Sequence, residues 1–104
     1  MSEYTIFMTH VASDDLRGIT AYITNELREP TVAKRIIAEI KEVVMSLKTM
    51  PNRYSMIDEE SSAIKGIRKT IVDNYIIFFI VSEENNTVTI IRILYGRRDW
   101  VNLL

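Results

Sequence analysis

The sequence contains no cysteine, a single histidine, two prolines and three glycines. Without cysteine there can be no disulfide, no thiolate metal site and no cysteine nucleophile. This absence fits a reducing compartment, most simply the cytoplasm. The few prolines and glycines do not cluster, and we find no linker, internal repeat or low-complexity segment. We therefore expect one domain that spans residues 1–104.

Long hydrophobic runs are also absent. No apolar stretch approaches the roughly 20 residues that a membrane-spanning helix needs. The N-terminus, Met1–Tyr4, is polar and acidic and lacks the basic and apolar regions of a signal peptide. With 47 % hydrophobic residues, the chain has enough apolar side chains to form a core. We expect a soluble cytoplasmic protein without a membrane partner.

The chain has no excess of positive charge, since its formal net charge is −1. Proteins that bind nucleic acid mainly through phosphates usually carry a clear basic excess. Residues 53–104 hold as many acidic as basic side chains, so the second half is not basic either. Any anion site must therefore be a local patch, and non-specific binding to DNA or RNA should be weak.

Two amphipathic segments in the first half predict helices. Ser13 offers an N-cap hydroxyl to the first, Asp14 and Asp15 place negative charge in its first turn, and Pro30 closes it. The apolar side chains recur at helical spacing. They are Leu16, Ile19, Ile23 and Leu27 in the first segment, and Ile36, Ile37, Ile40, Val43, Val44 and Leu47 in the second.

The second helix is predicted to begin with Thr31 as its cap and to stop at Met50-Pro51. The connection between the two helices is short, which predicts an antiparallel hairpin. Its apolar stripes need a sheet to cover them, and we expect Ile40 and Val44 to face that sheet.

Four segments predict strands. Alternation over Tyr4–Thr9 indicates a short first strand, and residues 52–63 show no periodicity and predict a loop. Apolar and β-branched runs at 67–72, 75–81 and 87–95 are separated by turn residues at 73–74 and 84–86. The order is β-α-α-β-β-β, an α+β fold in which a helical hairpin packs on a mainly antiparallel sheet.

The end of the last strand combines features of a binding edge. After Ile91–Tyr95 the chain passes Gly96 and then presents Arg97, Arg98 and Trp100. Loops at strand ends often carry function, and the planar guanidinium group makes bidentate hydrogen bonds to phosphate or carboxylate. We predict a site for a partner or a nucleic acid here, although Arg98 has a neighbouring Asp99 that could neutralise it.

Seven short motifs follow one another along nearly the whole chain: Ala12-x-x-Asp15-Leu16-x-x-Ile19-x-x-Tyr22-Ile23, Leu27-x-x-Pro30-x-x-Ala33, Gly66-Ile67-Arg68-Lys69, Val72-Asp73-Asn74-Tyr75, Ile77-Phe78-Phe79, Thr87-Val88-Thr89-Ile90-Ile91-Arg92 and Gly96-Arg97-Arg98-Asp99-Trp100. In these motifs and their order the chain resembles the RelE/ParE superfamily of bacterial toxins. The resemblance implies the same β-α-α-β-β-β fold. It also implies a growth-inhibiting toxin of a type II toxin–antitoxin module, with a cognate antitoxin as partner and no cofactor or metal.

The superfamily implies two mechanisms. RelE-like and YoeB-like members cleave messenger RNA in the ribosomal A site, whereas ParE-like members poison DNA gyrase and are not nucleases. In an interferase, Arg68 and Arg98 would be catalytic, because a fixed guanidinium offsets charge that develops at the scissile phosphate. Predicted binding residues are Arg68, Lys69, Arg92, Arg97, Arg98 and Trp100. A structural role is as plausible for Arg92. Core packing against the helices is expected for Trp100, Val101, Leu103 and Leu104, and an antitoxin-binding surface is the alternative.

A general base for RNA cleavage is not evident. His10 is expected at the end of the first strand, far in sequence from the arginines, and is interpreted as structural. The histidine–tyrosine pair of YoeB-like toxins and the C-terminal tyrosine of RelE-like toxins have no counterpart before Leu104. Possible substitutes by residue type alone are Tyr54, Glu59, Glu60 and Tyr95. ParE-like target binding is therefore slightly favoured over the interferase, and a degenerate toxin that keeps only antitoxin binding is the third possibility.

Overall fold

A four-stranded sheet carries two helices on one face in the computed structural model, which describes residues 3–57, 66–97 and 103–104. The strands are β1 (Thr5–Met8), β2 (Ile67–Val72), β3 (Tyr75–Ser82) and β4 (Thr87–Tyr95), and the helices are α1 (His10–Ala21) and α2 (Pro30–Ser46). A π-helical turn, Tyr22–Glu26, follows α1, and a 3₁₀ turn, Pro51–Arg53, follows α2. The predicted α+β order is confirmed.

The sheet has the order β1-β4-β3-β2. β2 pairs with β3 and β3 with β4 in antiparallel register, whereas β1 runs parallel to β4, with Thr5 opposite Thr87. The predicted bounds of β2 and β4 agree with the structure, and β3 is one residue longer than predicted. β1 pairs only as far as Met8 opposite Ile90, so the second half of β4 extends beyond it.

The first helix begins earlier than predicted. Its N-cap is Thr9, whose Oγ1 accepts a hydrogen bond from the Ala12 amide at 3.0 Å, and His10 is its first residue. Thr9 suits this role because β4 holds it: its amide donates to Ile90 and its hydroxyl to Ile91, both at the backbone carbonyl. The prediction of Ser13 as the cap was wrong for this tertiary reason.

The connection between the helices also differs from prediction. Pro30 does not close the first helix but is the first residue of α2, where its missing N–H costs nothing. The N-cap of α2 is Glu29 rather than Thr31, and Arg28 reverses the chain with φ of +53°. α2 ends at Ser46, four residues before Met50, and the last turn closes through Leu47, whose amide donates to Val44.

The core lies between the helices and the sheet. Ile40 of α2, Leu47 directly after it, and Ile77, Phe79 and Ile90 of the sheet are fully buried there. The stripe of the second helix is thus confirmed as core, as are Ile19 and Ile23 of the first. The inclusion of Leu27 was wrong, because the π-helical turn ends at Glu26 and Leu27 is 51 % exposed. A smaller apolar cluster on the other face of the sheet is built around Phe78, Ile67, Ile76 and Leu94.

The last residues of the chain pack on this smaller cluster, as Leu103 and Leu104 contact it. The expectation that they pack against the helices was therefore wrong, because the second cluster supplies its own apolar surface. Trp100 and Val101 lie outside the described residues. Neither helix in the described ranges is long and apolar enough to cross a membrane.

Candidate functional site

Asp15 and Arg92 form an ion pair at the edge of β4 that β1 leaves uncovered. The Asp15 carboxylate accepts hydrogen bonds from Arg92 Nε at 2.8 Å and Nη2 at 2.9 Å, and from the Ile93 amide at 3.0 Å. The two side chains are only 12 % and 18 % exposed. Hydrogen bonding to Asp15 raises the pKa of Arg92 above its ordinary value. Asp15 thus accepts the Ile93 amide hydrogen at the part of β4 that β1 does not reach. The sequence did not reveal this role.

The third guanidinium nitrogen of Arg92, Nη1, donates to the Leu103 carbonyl at 3.0 Å. Arg92 therefore holds α1, β4 and the end of the chain together. Its guanidinium, predicted as a binding group, is directed at these internal acceptors.

Arg68 lies in β2 opposite Phe79, on the face of the sheet that the helices cover. Its Nη1 donates to the Tyr54 carbonyl at 2.6 Å and to the Asn52 carbonyl at 3.3 Å. Backbone bonds continue this contact along the outer edge of β2, where the Ile57 amide donates to Ile67 and the Lys69 amide to Ser55. Arg68 therefore attaches the 3₁₀ turn and the following residues to the sheet.

Tyr4, Asn52 and Glu83 form a polar cluster beside Arg68. The Glu83 carboxylate accepts from the Tyr4 hydroxyl at 2.7 Å and from the Asn52 side-chain amide. These hydrogen bonds, Tyr4 first, lower the pKa of Glu83, with a further contribution from the charge of Arg68. The same contact raises the pKa of Tyr4. At neutral pH the cluster thus holds an ionised carboxylate and a protonated phenol, and neither is tuned for general base catalysis.

The side chains considered as bases from the sequence do not gather at Arg68 in the described part of the chain. His10 is exposed at the start of α1. The Tyr54 hydroxyl accepts from Arg53 Nη2 at 3.0 Å, and the Tyr95 ring packs edge-on against Tyr75 with centroids 5.8 Å apart. Glu59 and Glu60 lie outside the described residues.

Arg97 lies beyond the end of β4 and is exposed. The Gly96 amide before it donates to the Asn74 carbonyl at 2.8 Å, and a Cβ at Gly96 would approach that oxygen to 3.3 Å. Gly96 thus lets the exit of β4 lie close to the β2–β3 turn. Arg98 and Trp100 lie outside the described residues.

The predicted arginines do not converge in the described part of the chain. Arg68 pairs with Phe79 of β3, which pairs in turn with Ile90 in the first half of β4. Arg97 instead follows Tyr95, at the C-terminal end of β4. Lys69 alternates to the other face, beside Phe78. Within residues 3–57, 66–97 and 103–104, no group of three or more histidine and carboxylate side chains is arranged to hold a metal.

Solved structures with a similar fold come from toxin–antitoxin systems. The chromosomal ParDE system of P. aeruginosa matches with a TM-score of 0.70 and 22 % identity over 89 % of this chain and 96 % of that one. The RelBE2 toxin–antitoxin complex of Mycobacterium tuberculosis matches with a TM-score of 0.68 and 22 % identity, over 89 % of this chain and 98 % of that one. The intact E. coli RelBE complex matches with a TM-score of 0.60 and 14 % identity, over 91 % of this chain and 99 % of that one. At these identities the likeness shows the fold.

A comparison with curated proteins gives no match. The sequence itself matches the family described as the ParE toxin of the type II toxin–antitoxin system parDE over residues 6–100, which covers every described helix and nearly all of the sheet. The chain therefore belongs to the ParE toxin family of type II toxin–antitoxin systems.

Proposed function

We propose that this type II toxin slows growth by binding a protein target such as DNA gyrase, and that a cognate antitoxin neutralises it. The observation that carries the proposal is the placement of Arg68. An interferase needs a guanidinium free to meet the scissile phosphate, yet Arg68 Nη1 is occupied by the carbonyls of Tyr54 and Asn52. The carboxylate of the neighbouring polar cluster, Glu83, has a lowered pKa, which makes it a weaker base.

The exposed Arg97 contacts the target in this proposal. It lies at a strand exit, a position where a rigid sheet presents a side chain to a partner. Arginine is over-represented among the residues that dominate binding energy. Arg98 and Trp100 follow it in the sequence and are proposed to take part in target binding as well.

Two assays with purified toxin test the mechanism side by side. In the first, gyrase supercoils relaxed plasmid with increasing toxin, and cleaved DNA is measured after detergent and protease treatment. In the second, a reconstituted translation reaction is followed by mapping the ends of the messenger RNA. We expect loss of supercoiling, accumulation of cleaved DNA and intact messenger RNA.

Variants sharpen the same experiment. Arg97→Ala should weaken gyrase inhibition about tenfold, as expected for an arginine in a binding surface. Arg17→Ala is the matched control, because Arg17 is an exposed arginine on α1. Messenger RNA cleavage in the A site that Arg68→Ala abolishes would establish the interferase instead. No effect in either assay, with antitoxin binding intact, would indicate a degenerate toxin.

A further inference from the structure

A cleft of about 880 Å³ lies between the helical hairpin and the end of the sheet where β4 terminates. Its apolar lining includes Ile19, Ile23, Ile36 and Ile93. Large apolar side chains at its rim remain open to solvent: Tyr22 is 53 % exposed, Leu27 51 % and Tyr95 38 %. Exposed apolar side chains grouped around a groove are typical of a binding surface.

The charged side chains of the cleft are mainly acidic. Asp14, Asp15, Glu29 and Asp73 line it, and Arg35 is the basic residue among the described lining. Asp15 is neutralised by Arg92, and Asp14 is paired with Arg17 at the surface. Arg35 is shared, since its Nη1 lies 3.0 Å from Glu39 and 3.4 Å from Asp73. Glu29 and part of the Asp73 charge are therefore not balanced by a basic residue of the cleft, which keeps a small excess of negative charge.

The tyrosine rings of the cleft, like its negative charge, favour the binding of a cation. Tyr75 and Tyr95 pack edge-on at 5.8 Å, and Tyr22 lines the same cleft. Burial raises the pKa of Tyr75, and the neighbouring Tyr95, Tyr22 and Asp73 act in the same direction. The faces of tyrosine rings attract ammonium and guanidinium groups. An apolar floor, carboxylates and tyrosine rings together fit a cationic side chain on an otherwise apolar segment.

We infer that this cleft receives a segment of the cognate antitoxin in which a lysine or arginine is flanked by aliphatic side chains. The choice of partner rests on the proposed function, and the choice of chemistry rests on the charge and lining of the cleft. Among the described residues, Leu103 and Leu104 pack on the opposite face of the sheet and do not line the cleft. A volume of 880 Å³ is within the range of specific ligand sites, about 300–1,000 Å³.

Photo-crosslinking of the co-expressed toxin–antitoxin complex tests where the antitoxin lies. The probe is p-benzoylphenylalanine in place of Leu27, at the rim of the cleft. The control carries the same probe in place of Met45 on α2, which is 50 % exposed, almost the same as Leu27, and does not line the cleft. We expect irradiation to join the Leu27 site to the antitoxin at least about fivefold more efficiently than the Met45 site.

Mass spectrometry of the crosslinked peptide identifies the occupant. The inference requires an antitoxin segment with a lysine or arginine within two residues of aliphatic side chains. Crosslinks to a second copy of this chain, to an antitoxin segment without a basic residue, or with equal efficiency from the Met45 site would overturn it. So would the absence of crosslinks in a complex that is intact by size-exclusion chromatography.

Charge neutralisation tests the chemistry. The variant Glu29→Gln/Asp73→Asn removes two carboxylates of the cleft, and asparagine tolerates the left-handed backbone of residue 73, where φ is +55°. Glu84→Gln, in the turn before β4 and outside the cleft, is the matched control. We expect the double variant to bind antitoxin about tenfold more weakly and the control to bind as the parent does. Binding of the double variant within twofold of the parent would contradict the inference.

A synthetic peptide separates the basic group from its surroundings. The crosslinked segment is made once with its natural basic residue and once with citrulline or norleucine, which keep the length and remove the charge. The charged peptide should bind the free toxin at least about tenfold more tightly than the neutral one, and equal binding would refute the inference. These results do not depend on gyrase, so a failure of the proposed target and a failure of this site are distinguishable.

Discussion

Replacing Asp15 by alanine is expected to be among the most destabilising single substitutions at a polar residue of this chain. The substitution removes the acceptor for two nitrogens of Arg92 and for the Ile93 amide. The guanidinium would stay largely buried, because it is anchored at Leu103 as well. Breaking a buried pair by removing one partner typically costs about 3–5 kcal/mol. That is a large share of the roughly 5–15 kcal/mol by which a domain of this size is stable.

The neighbouring residue supplies an internal control. Asp14 also pairs with an arginine, Arg17, but those side chains are 67 % and 71 % exposed. An exposed pair of this kind contributes about 0–1 kcal/mol. Asp14→Ala and Asp15→Ala thus remove the same chemical group one residue apart on the same helix, and only burial and the number of partners differ.

Urea unfolding followed by circular dichroism measures both variants. Asp15→Ala should lower the free energy of unfolding by about 3–5 kcal/mol, and Asp14→Ala by less than about 1 kcal/mol. Arg92→Met and the double variant Asp15→Ala/Arg92→Met complete a thermodynamic cycle, in which the double variant should be less destabilised than the sum of the two single variants. Equal effects of Asp14→Ala and Asp15→Ala would refute the assignment of Asp15 as the acceptor that closes the edge of β4.

Three further predictions concern the core, the β2 edge and the pH dependence. Ile40→Ala should lower the free energy of unfolding by about 2–5 kcal/mol. Met45→Ala, at an exposed position of the same helix, should change it by less than about 0.5 kcal/mol. Equal free energies of unfolding for the two variants in urea titrations would contradict the core assignment. Arg68→Ala leaves two backbone carbonyls without their donor and should cost about 1–3 kcal/mol, which the same titration measures; no change would show that the guanidinium does not hold the 3₁₀ turn. Glu83→Gln tests the lowered pKa of Glu83: the stabilisation by the carboxylate is present above its ordinary pKa of 4.5 and is lost as the pH falls through the lowered value. The free energies of unfolding of parent and variant should therefore differ at pH 7 and converge in acid. A difference that persists unchanged at pH 3 would contradict the lowered pKa.

The strands were predictable because their signals are local. β2 and β4 are bounded by turn residues, and Asp73 and Asn86 adopt the positive φ that aspartate and asparagine tolerate. Hydrophobic periodicity also identified the buried face of α2, including Ile40 and Val44. At these positions the local preferences of the residues agree with the tertiary structure, so the sequence alone is sufficient to predict the backbone and the buried face.

The helix ends were harder to predict because the deciding contacts are tertiary or the residue is ambiguous. Ser13 is the better cap in isolation, but the hydrogen bonds of Thr9 to Ile90 and Ile91 decide in favour of Thr9. Pro30 lacks an amide hydrogen, a property that suits both the residue after a helix and the first residue of the next one. The backbone reversal at Arg28, with φ of +53°, selects the second outcome.

The candidate site was the least predictable part. Asp15 and Arg92 are 77 residues apart, and Tyr4 and Glu83 are 79 apart, so no spacing rule brings either pair together. The sequence identified Arg68 as a chemically capable residue, but its acceptors are backbone carbonyls, which carry no signal in the residue type. The acidic cleft was missed for a related reason, because α1, α2 and the sheet each contribute only a few of its residues.

The most direct test of the central claim is the gyrase assay carried out with and without antitoxin. Free toxin should abolish supercoiling and leave cleaved plasmid, and a stoichiometric amount of the cognate antitoxin should restore full activity, with messenger RNA intact in a parallel translation reaction. Unimpaired supercoiling together with A-site cleavage of messenger RNA, lost in Arg68→Ala, would contradict the account.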